Sequence, residues 1–246
     1  MSFSSSFLLT QFMKLTVSPL VYNANLHVAN CWFDISRFDD DLFIKENIFL
    51  PATVKCSTGK RRAEYFAGRY LAKQCLTEMG IQQFNVFSDS NRCPIWPEHL
   101  LGSISHSNDS AICIVAKKKD YAAVGVDTEN WVVQANAAEE LGNVVLDQRE
   151  RWLVNTMSEG LDKYFTHIFS AKESIFKALY PAVGRYFNFS AAKLISMDLP
   201  QDSLCFELAE NLADAYCEGV QLRVWFNESA SGVTTLCLIE HKNISG

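Results

Sequence analysis

No C-x-x-C pair and no other metal-ligand spacing occurs among the eight cysteines, at positions 31, 56, 75, 93, 113, 205, 217 and 237. That excludes a zinc ribbon and a dithiol redox motif. Several of these thiols sit inside apolar runs, where a thiol acts as a small hydrophobe, so the chain is expected to keep them reduced and to be cytoplasmic. Positive charge is also scarce: 22 Lys and Arg against 28 Asp and Glu leave a net charge of −6. This balance argues against a general nucleic-acid binder held by phosphate attraction, while leaving room for a local basic patch. The opening stretch Met1 to Leu9 has no basic flank, and its apolar part is too short and broken for a signal peptide or membrane span. Neither Ser105 nor Ser107 lies in a G-x-S-x-G elbow, which argues against a serine hydrolase. Internal repeats and low-complexity linkers are absent as well.

What is present suffices for a core: 246 residues, 48% hydrophobic, fit one large domain or two small ones. The stretch Phe169 to Leu179 organises the rest. On a helical wheel Ile168, Ala171, Ile175, Ala178 and Leu179 fall on one arc, with Leu161, Tyr164 and Phe165 on or beside it. Glu173 and Lys177 lie roughly opposite, about 40° apart. One helix is expected from about Asp162 until Pro181 stops it, so Ser170-x-x-Glu173 is no capping box. Taken alone, Glu173 and Lys177 are equally a solvated i, i+4 pair.

Before Lys55 the pattern suggests strands and loops, with apolar stretches at Leu15 to Tyr22 and Leu26 to Phe33. Asp39-Asp40-Asp41 reads as a solvated turn and receives no role. From Lys60 to Met79, Ala63, Phe66, Ala67, Tyr70 and Leu71 follow helical spacing, and Gly80 supplies a stop. Arg62, Arg69 and Lys73 fall within about 40° of one another on that helix, with Lys55, Lys60 and Arg61 just ahead. Such a stripe is either a solvated face or a grip for a phosphate monoester, which guanidinium groups can hold bidentately. The prolines of Arg92 to Pro97 hold an extended loop, leading to Gly102 to Ser107 as a binding loop that contains Ser105 and His106.

Ala111 to Ala116 and Tyr121 to Asp127, joined by Lys117 to Asp120, read as a hairpin. The second strand ends in Gly125-Val126-Asp127-Thr128-Glu129, which places Asp127 and Glu129 on one face and Val126 on the other. Two hard carboxylates at that spacing suit Mg²⁺. Asn130 to Ser158 is expected to be partly helical, with Trp131, Val132, Leu141, Val144, Val145, Trp152 and Leu153 in the core. Gly184 to Phe189 is a loop, and strands are expected at residues 191–197, 204–208, 220–226 and 233–239.

Gly125-Val126-Asp127-Thr128-Glu129, followed by Phe169-Ser170-Ala171-Lys172-Glu173-Ser174-Ile175-Phe176-Lys177, resembles the signature of the 4′-phosphopantetheinyl transferases, in their surfactin and enterobactin-synthetase branch. Lys60 to Arg69, Pro94-Ile95-Trp96-Pro97 and Gly102-Ser103-Ile104-Ser105-His106 match as well, so the resemblance spans about Lys60 to Phe189. It departs at Phe169, where the family often has Trp. The resemblance implies an α+β fold of two pseudo-symmetric lobes, residues 1–122 and 123–246, each a small mostly antiparallel sheet packed on helices, with the active site in the cleft between them. It also implies a cytoplasmic monomer without a transmembrane segment, acting on coenzyme A with Mg²⁺.

By the same resemblance Asp127, Glu129 and Glu173 are the metal ligands. Arg61, Arg62 and Arg69 grip the 3′-phosphate and adenine end, Ser105 and His106 meet the diphosphate, and Arg92 is a further phosphate contact. Glu173 is the base, Lys177 assists the leaving group, and Lys172 stabilises the transferred phosphoryl oxygens. The implied reaction moves the phosphopantetheine arm to a serine of an acyl, peptidyl or aryl carrier protein, in siderophore or other nonribosomal peptide or polyketide synthesis. The alternative is a non-catalytic coenzyme A or nucleotide-binding protein of the same fold.

Overall fold

The computed structural model describes residues 7–16, 25–82, 85–131, 142, 144–157 and 160–241, with the backbone alone at 160–162. Val132, Leu141, the Leu161 side chain and the far part of the strand expected at 15–22 lie outside the described residues. The chain divides into two units, Met1–Lys117 and Lys118–Gly246.

Unit 1 contains α1 (Phe7–Phe12), β1 (Met13–Thr16), β2 (Leu26–Phe33), α2 (Asp41–Lys45), α3 (Ala52–Lys55) and the long α4 (Gly59–Glu78). A hairpin of β3 (Leu100–Ser107) and β4 (Ser110–Lys117) completes an antiparallel sheet ordered β1-β2-β4-β3. The helix α4 starts where the Thr58 side chain accepts a hydrogen bond from the Arg61 amide, satisfying one of the free N–H groups of the first turn. It ends before Gly80, whose φ of 80° is left-handed and suits glycine. The expected apolar arc is the buried one: Ala63, Phe66, Ala67, Tyr70 and Leu71 all face the core. Phe66 packs edge-on against Phe12 and Phe43, with ring centroids 5.7 and 5.3 Å away.

Unit 2 contains β5 (Ala123–Asn130), α5 (Gln148–Asn155), α6 (Gly160–Val183) and a meander of β6 (Ala192–Asp198), β7 (Ser203–Leu208), β8 (Gln221–Glu228) and β9 (Gly232–Ile239). Its sheet is ordered β5-β9-β8-β7-β6. The wiring repeats that of unit 1. In each, a strand leads through a long helix into a meander whose last strand returns beside the first, β4 next to β2 and β9 next to β5. That shared path is the likeness between the two sheet-and-helix units of this α+β fold. The helix α6 buries Tyr164, Phe165, Ile168, Ala171, Ile175, Ala178 and Leu179 as its periodicity requires. It lies so close to β5 that a Cβ on Gly125 would stand 2.0 Å from the Ser174 carbonyl oxygen. Only glycine fits there.

Several expectations need correction. The Lys-rich stretch after β4 is not a hairpin turn, because β4 pairs with β2 and β3 while β5 pairs with β9. Polar residues there mark the passage from one unit to the next. Ser105 and His106 belong to strand β3 rather than a loop. The first 55 residues hold short helices as well as strands. Pro181 lies inside the last turn of α6, and the stop is Gly184, left-handed at φ 67°, whose amide donates to the Tyr180 carbonyl. Trp152 and Val144 are 68% and 72% exposed. On α5 the inward positions are Glu150 and Val154, which puts Trp152 on the opposite side. The strands expected after residue 190 are found as β6 to β9.

Candidate active site

In unit 2, β5 and α6 bring the carboxylates together. Asp127 is 2% exposed, and both of its oxygens are engaged. Lys177 Nζ donates to Oδ1 at 2.6 Å, and Ser170 Oγ donates to Oδ2 at 2.8 Å. Thr235 of β9, with its hydroxyl on the Ser170 carbonyl at 2.8 Å, packs behind this contact. Glu129, on the same face of β5, is pushed up to about 8, first by burial and then by the Asp127 charge, with Lys177 pulling it back and Glu173 adding to the rise. Burial, and after it Asp127, likewise raise Glu173, against the pull of Lys177. The three acids therefore share one field, with the Lys177 ammonium as their counter-charge. The sequence did not single out Ser170, although its place on the helix one turn before Glu173 was a signal.

Among the described residues no group of three His, Cys, Asp or Glu side chains stands in a metal-binding arrangement. The donor set itself fits Mg²⁺ in chemistry: three hard carboxylates in excess of positive charge, two of them raised by burial first and by the Asp127 charge second. Beside Glu173 opens a cavity of about 130 Å³, lined by Phe176, Tyr186, Phe187 and Phe189.

Lys172 does not join Asp127, Glu129 and Glu173. It is buried, and its Nζ lies 2.8 and 2.9 Å from the two oxygens of Glu150 and 2.8 Å from the Val145 carbonyl. Burial pulls its pKa down, and Glu150 opposes that. At about 100° per residue Lys172 leaves α6 on a different side from Glu173 and Lys177, and its Nζ is taken up by Glu150, while the residue still lines the cavity beside Glu173. Glu150 also closes a capping box with Asp147 and accepts from the Leu194 amide at 2.7 Å, so one carboxylate ties α5, α6 and β6. Its role is visible only once the chain is folded.

Unit 1 divides the expected basic stripe. Arg62 is 2.8 Å from Asp40 and donates to the Ser57 carbonyl at 2.6 Å, so the Asp39 to Asp41 turn does have a partner. Lys73 donates to the Glu46 carbonyl at 2.6 Å. Arg69 donates to Ser88 Oγ at 2.7 Å and lies 4.7 Å over the Tyr65 ring, while its buried Nε makes no hydrogen bond. These three side chains fasten loops to α4. Arg61 differs, with Nη1 2.9 Å from His106 Nε2 on β3. Ser105, next to it, is buried. Arg92 is held at a left-handed φ of 67° in a turn whose Asn91 and Cys93 amides both donate to Asp89 Oδ1.

Two family models match the chain: the 4′-phosphopantetheinyl transferase N-terminal domain over residues 50–116, and the 4′-phosphopantetheinyl transferase superfamily over residues 123–232. The chain belongs to the 4′-phosphopantetheinyl transferase superfamily, in its enterobactin synthase component D type, and is a transferase. Among curated proteins it is similar to "Enterobactin synthase component D" of Salmonella typhi, 31% identical over 216 residues, 87% of this chain and 86% of that protein. The protein of the same name from Escherichia coli O157:H7 is 32% identical over 170 residues, 68% and 76% of the two chains. "4′-phosphopantetheinyl transferase Npt" of Nocardia iowensis is 28% identical over 160 residues, 65% of each. No described helix is long and apolar enough to cross a membrane.

Proposed function

We propose that this transferase moves the 4′-phosphopantetheine arm of coenzyme A onto a serine of an acyl, peptidyl or aryl carrier protein, releasing adenosine 3′,5′-bisphosphate. The observation that carries this reading is the convergence of Asp127, Glu129, Glu173 and Lys177 around one half-buried ion pair. Asp127, Glu129 and Glu173 would hold Mg²⁺, which when bound neutralises the diphosphate and the charge developing on its oxygens.

Glu173 is suited to be the base. Placed in the cluster with Asp127 and Lys177, it would take the serine proton as the serine oxygen bonds to the β-phosphorus. The bond that breaks joins that phosphorus to the bridging oxygen, whose new negative charge Lys177 stabilises. Ser170 and Lys177 together fix the Asp127 carboxylate, so its orientation is set before substrate arrives. In unit 1, Arg61 and His106 are the leading candidates for the 3′-phosphate end, with Arg69, Arg92 and Ser105 as further contacts. Similarity to enterobactin synthase proteins favours a siderophore-producing pathway.

The test is the intact mass of an apo peptidyl carrier protein incubated with this transferase, coenzyme A and Mg²⁺. A gain of one phosphopantetheine that EDTA prevents is the expected result. No gain, with coenzyme A still raising the melting temperature, would instead indicate a binding protein.

A further inference from the structure

A serine inside a helix can satisfy its hydroxyl on its own backbone, as Ser174 does by donating to the Ala171 carbonyl at 2.8 Å. Ser170, one turn earlier, reaches across to other elements. Its Oγ donates to Asp127 Oδ2 at 2.8 Å and lies 2.9 Å from Oγ1 of Thr235, the β9 residue opposite Asp127 in the β5–β9 ladder. Each hydroxyl has one hydrogen to give. Thr235 gives its own to the Ser170 carbonyl at 2.8 Å, and Ser170 gives its hydrogen to the carboxylate, the stronger acceptor. Donation therefore runs one way, from β9 to α6 to β5.

Stability does not account for this arrangement, because a buried hydrogen-bonded pair is worth little more than two apolar groups of the same shape. Its effect is to give the Asp127 carboxylate two unlike sides. Oδ2 lies against Ser170 and Thr235, both fully buried, whereas Oδ1 faces Lys177, whose side chain is 26% exposed. We propose that Ser170, backed by Thr235, is a positioning residue that stops the Asp127 carboxylate from turning about its Cβ–Cγ bond and so presents Oδ1 to a divalent cation. The inference rests on the proposed function, in which Asp127 is a ligand to Mg²⁺. Neither hydroxyl has to touch the ion or the substrate, since each acts through Asp127; such outer partners of a metal ligand fix its orientation and with it the affinity for the ion.

The experiment is a Mn²⁺ titration of the full chain with coenzyme A present, against coenzyme A alone, with bound ion read from the loss of the free-ion paramagnetic resonance signal. Mn²⁺ is the probe because it shares the carboxylate preference of Mg²⁺. Ser170→Ala should weaken Mn²⁺ binding about tenfold, the low end for loss of a group that orients a metal ligand. Thr235→Val, which keeps the shape and loses the hydroxyl, should weaken it about threefold, the scale of one neutral hydrogen bond, while Thr235→Ser should match the wild type. Because Thr235 acts through Ser170, the variant carrying both Ser170→Ala and Thr235→Val should bind no more weakly than Ser170→Ala, a coupling that independent losses of packing would not produce. Should Ser170→Ala fail to fold, the two Thr235 variants decide alone. Unchanged affinity in Ser170→Ala or Thr235→Val, equal losses in Thr235→Val and Thr235→Ser, or a double variant weakened by the product of the single effects would overturn this inference alone. A wild-type chain that adds no Mn²⁺ binding to that of coenzyme A overturns the functional reading with it.

Discussion

The helices α4 and α6 hold the same place in the two units, each reached from a strand and followed by a meander that returns beside that strand, yet they use their charges differently. Arg62, Lys73 and Arg69 of α4 reach to Asp40, to the Ser57 and Glu46 carbonyls and to Ser88, fastening loops to the helix. Two cations of α6 turn to partners inside the fold, Lys177 to Asp127 and Lys172 to Glu150. For Lys177 the strand beneath makes the difference. Neither β2 nor β4 carries an acid, whereas β5 presents Asp127 and Glu129 to α6. A shared path of the chain therefore does not fix where the chemistry lies; the residues opposite the helix do.

The largest effect that would sharpen this contrast is on turnover. Glu173→Gln should lower transfer by about 10²- to 10⁴-fold, the usual contribution of a general base, in an assay reading carrier mass against time. In unit 1, Arg61→Ala should instead raise the KM for coenzyme A and leave turnover at saturation largely intact. Lys177→Ala should fall between, lowering turnover more than coenzyme A affinity. Near-normal turnover in Glu173→Gln would break the assignment of base chemistry to α6.

Next in size is the buried pair. Glu150→Ala leaves Lys172 without its carboxylate and should cost about 3–5 kcal/mol, read as a lower denaturation midpoint. Replacing the two together, Glu150→Leu with Lys172→Met, should recover much of that loss. A near-neutral Glu150→Ala would show that water reaches this part of the core.

The helix–sheet contacts can be compared directly. A Cβ at Gly125 meets backbone at 2.0 Å, whereas one at Gly68 meets the Ile104 side-chain methyl at 2.7 Å. Gly125→Ala should therefore destabilise by at least the 1–3 kcal/mol typical of overpacking, about the largest such a small change can do. Gly68→Ala should cost less, because Ile104 can shift and alanine favours the helix by about 1 kcal/mol. Thermal unfolding of both variants tests the ranking, and a reversed order would refute it.

The smallest expected change is Arg62→Ala, which removes a partly exposed clamp and should alter stability by no more than about 1 kcal/mol, leaving coenzyme A affinity unchanged. A tenfold loss of affinity would mean that Arg62 leaves Asp40 for the ligand, as the family resemblance implied.

The legibility of this protein in its sequence follows the range of each interaction. Both long helices could be drawn from apolar spacing, and β6 to β9 from their flanking turns, because those signals are local. The acids of β5 and the Glu173 to Lys177 face of α6 were visible for the same reason. Partnerships across the chain were not. The strand β4 looked like one arm of a hairpin with β5, but it pairs with β2 far upstream. Glu150, on another helix, could not be named from the sequence as the partner of Lys172. Arg62 and Asp40 come from elements that no short-range pattern connects.

One pairing has a consequence in time. Asp127 lies opposite Thr235, and among the described residues the whole of β5 finds its ladder partner in β9. During synthesis the strand that carries both acids must wait for the rest of unit 2 before it is paired, and such distant closures are the slow part of folding. A chain halted before β9 would possess every acid and lysine of the cluster yet lack the Thr235 layer behind Ser170 and Asp127. Competence for chemistry should thus arrive late and all at once, which spares the cell a half-made transferase with a working site.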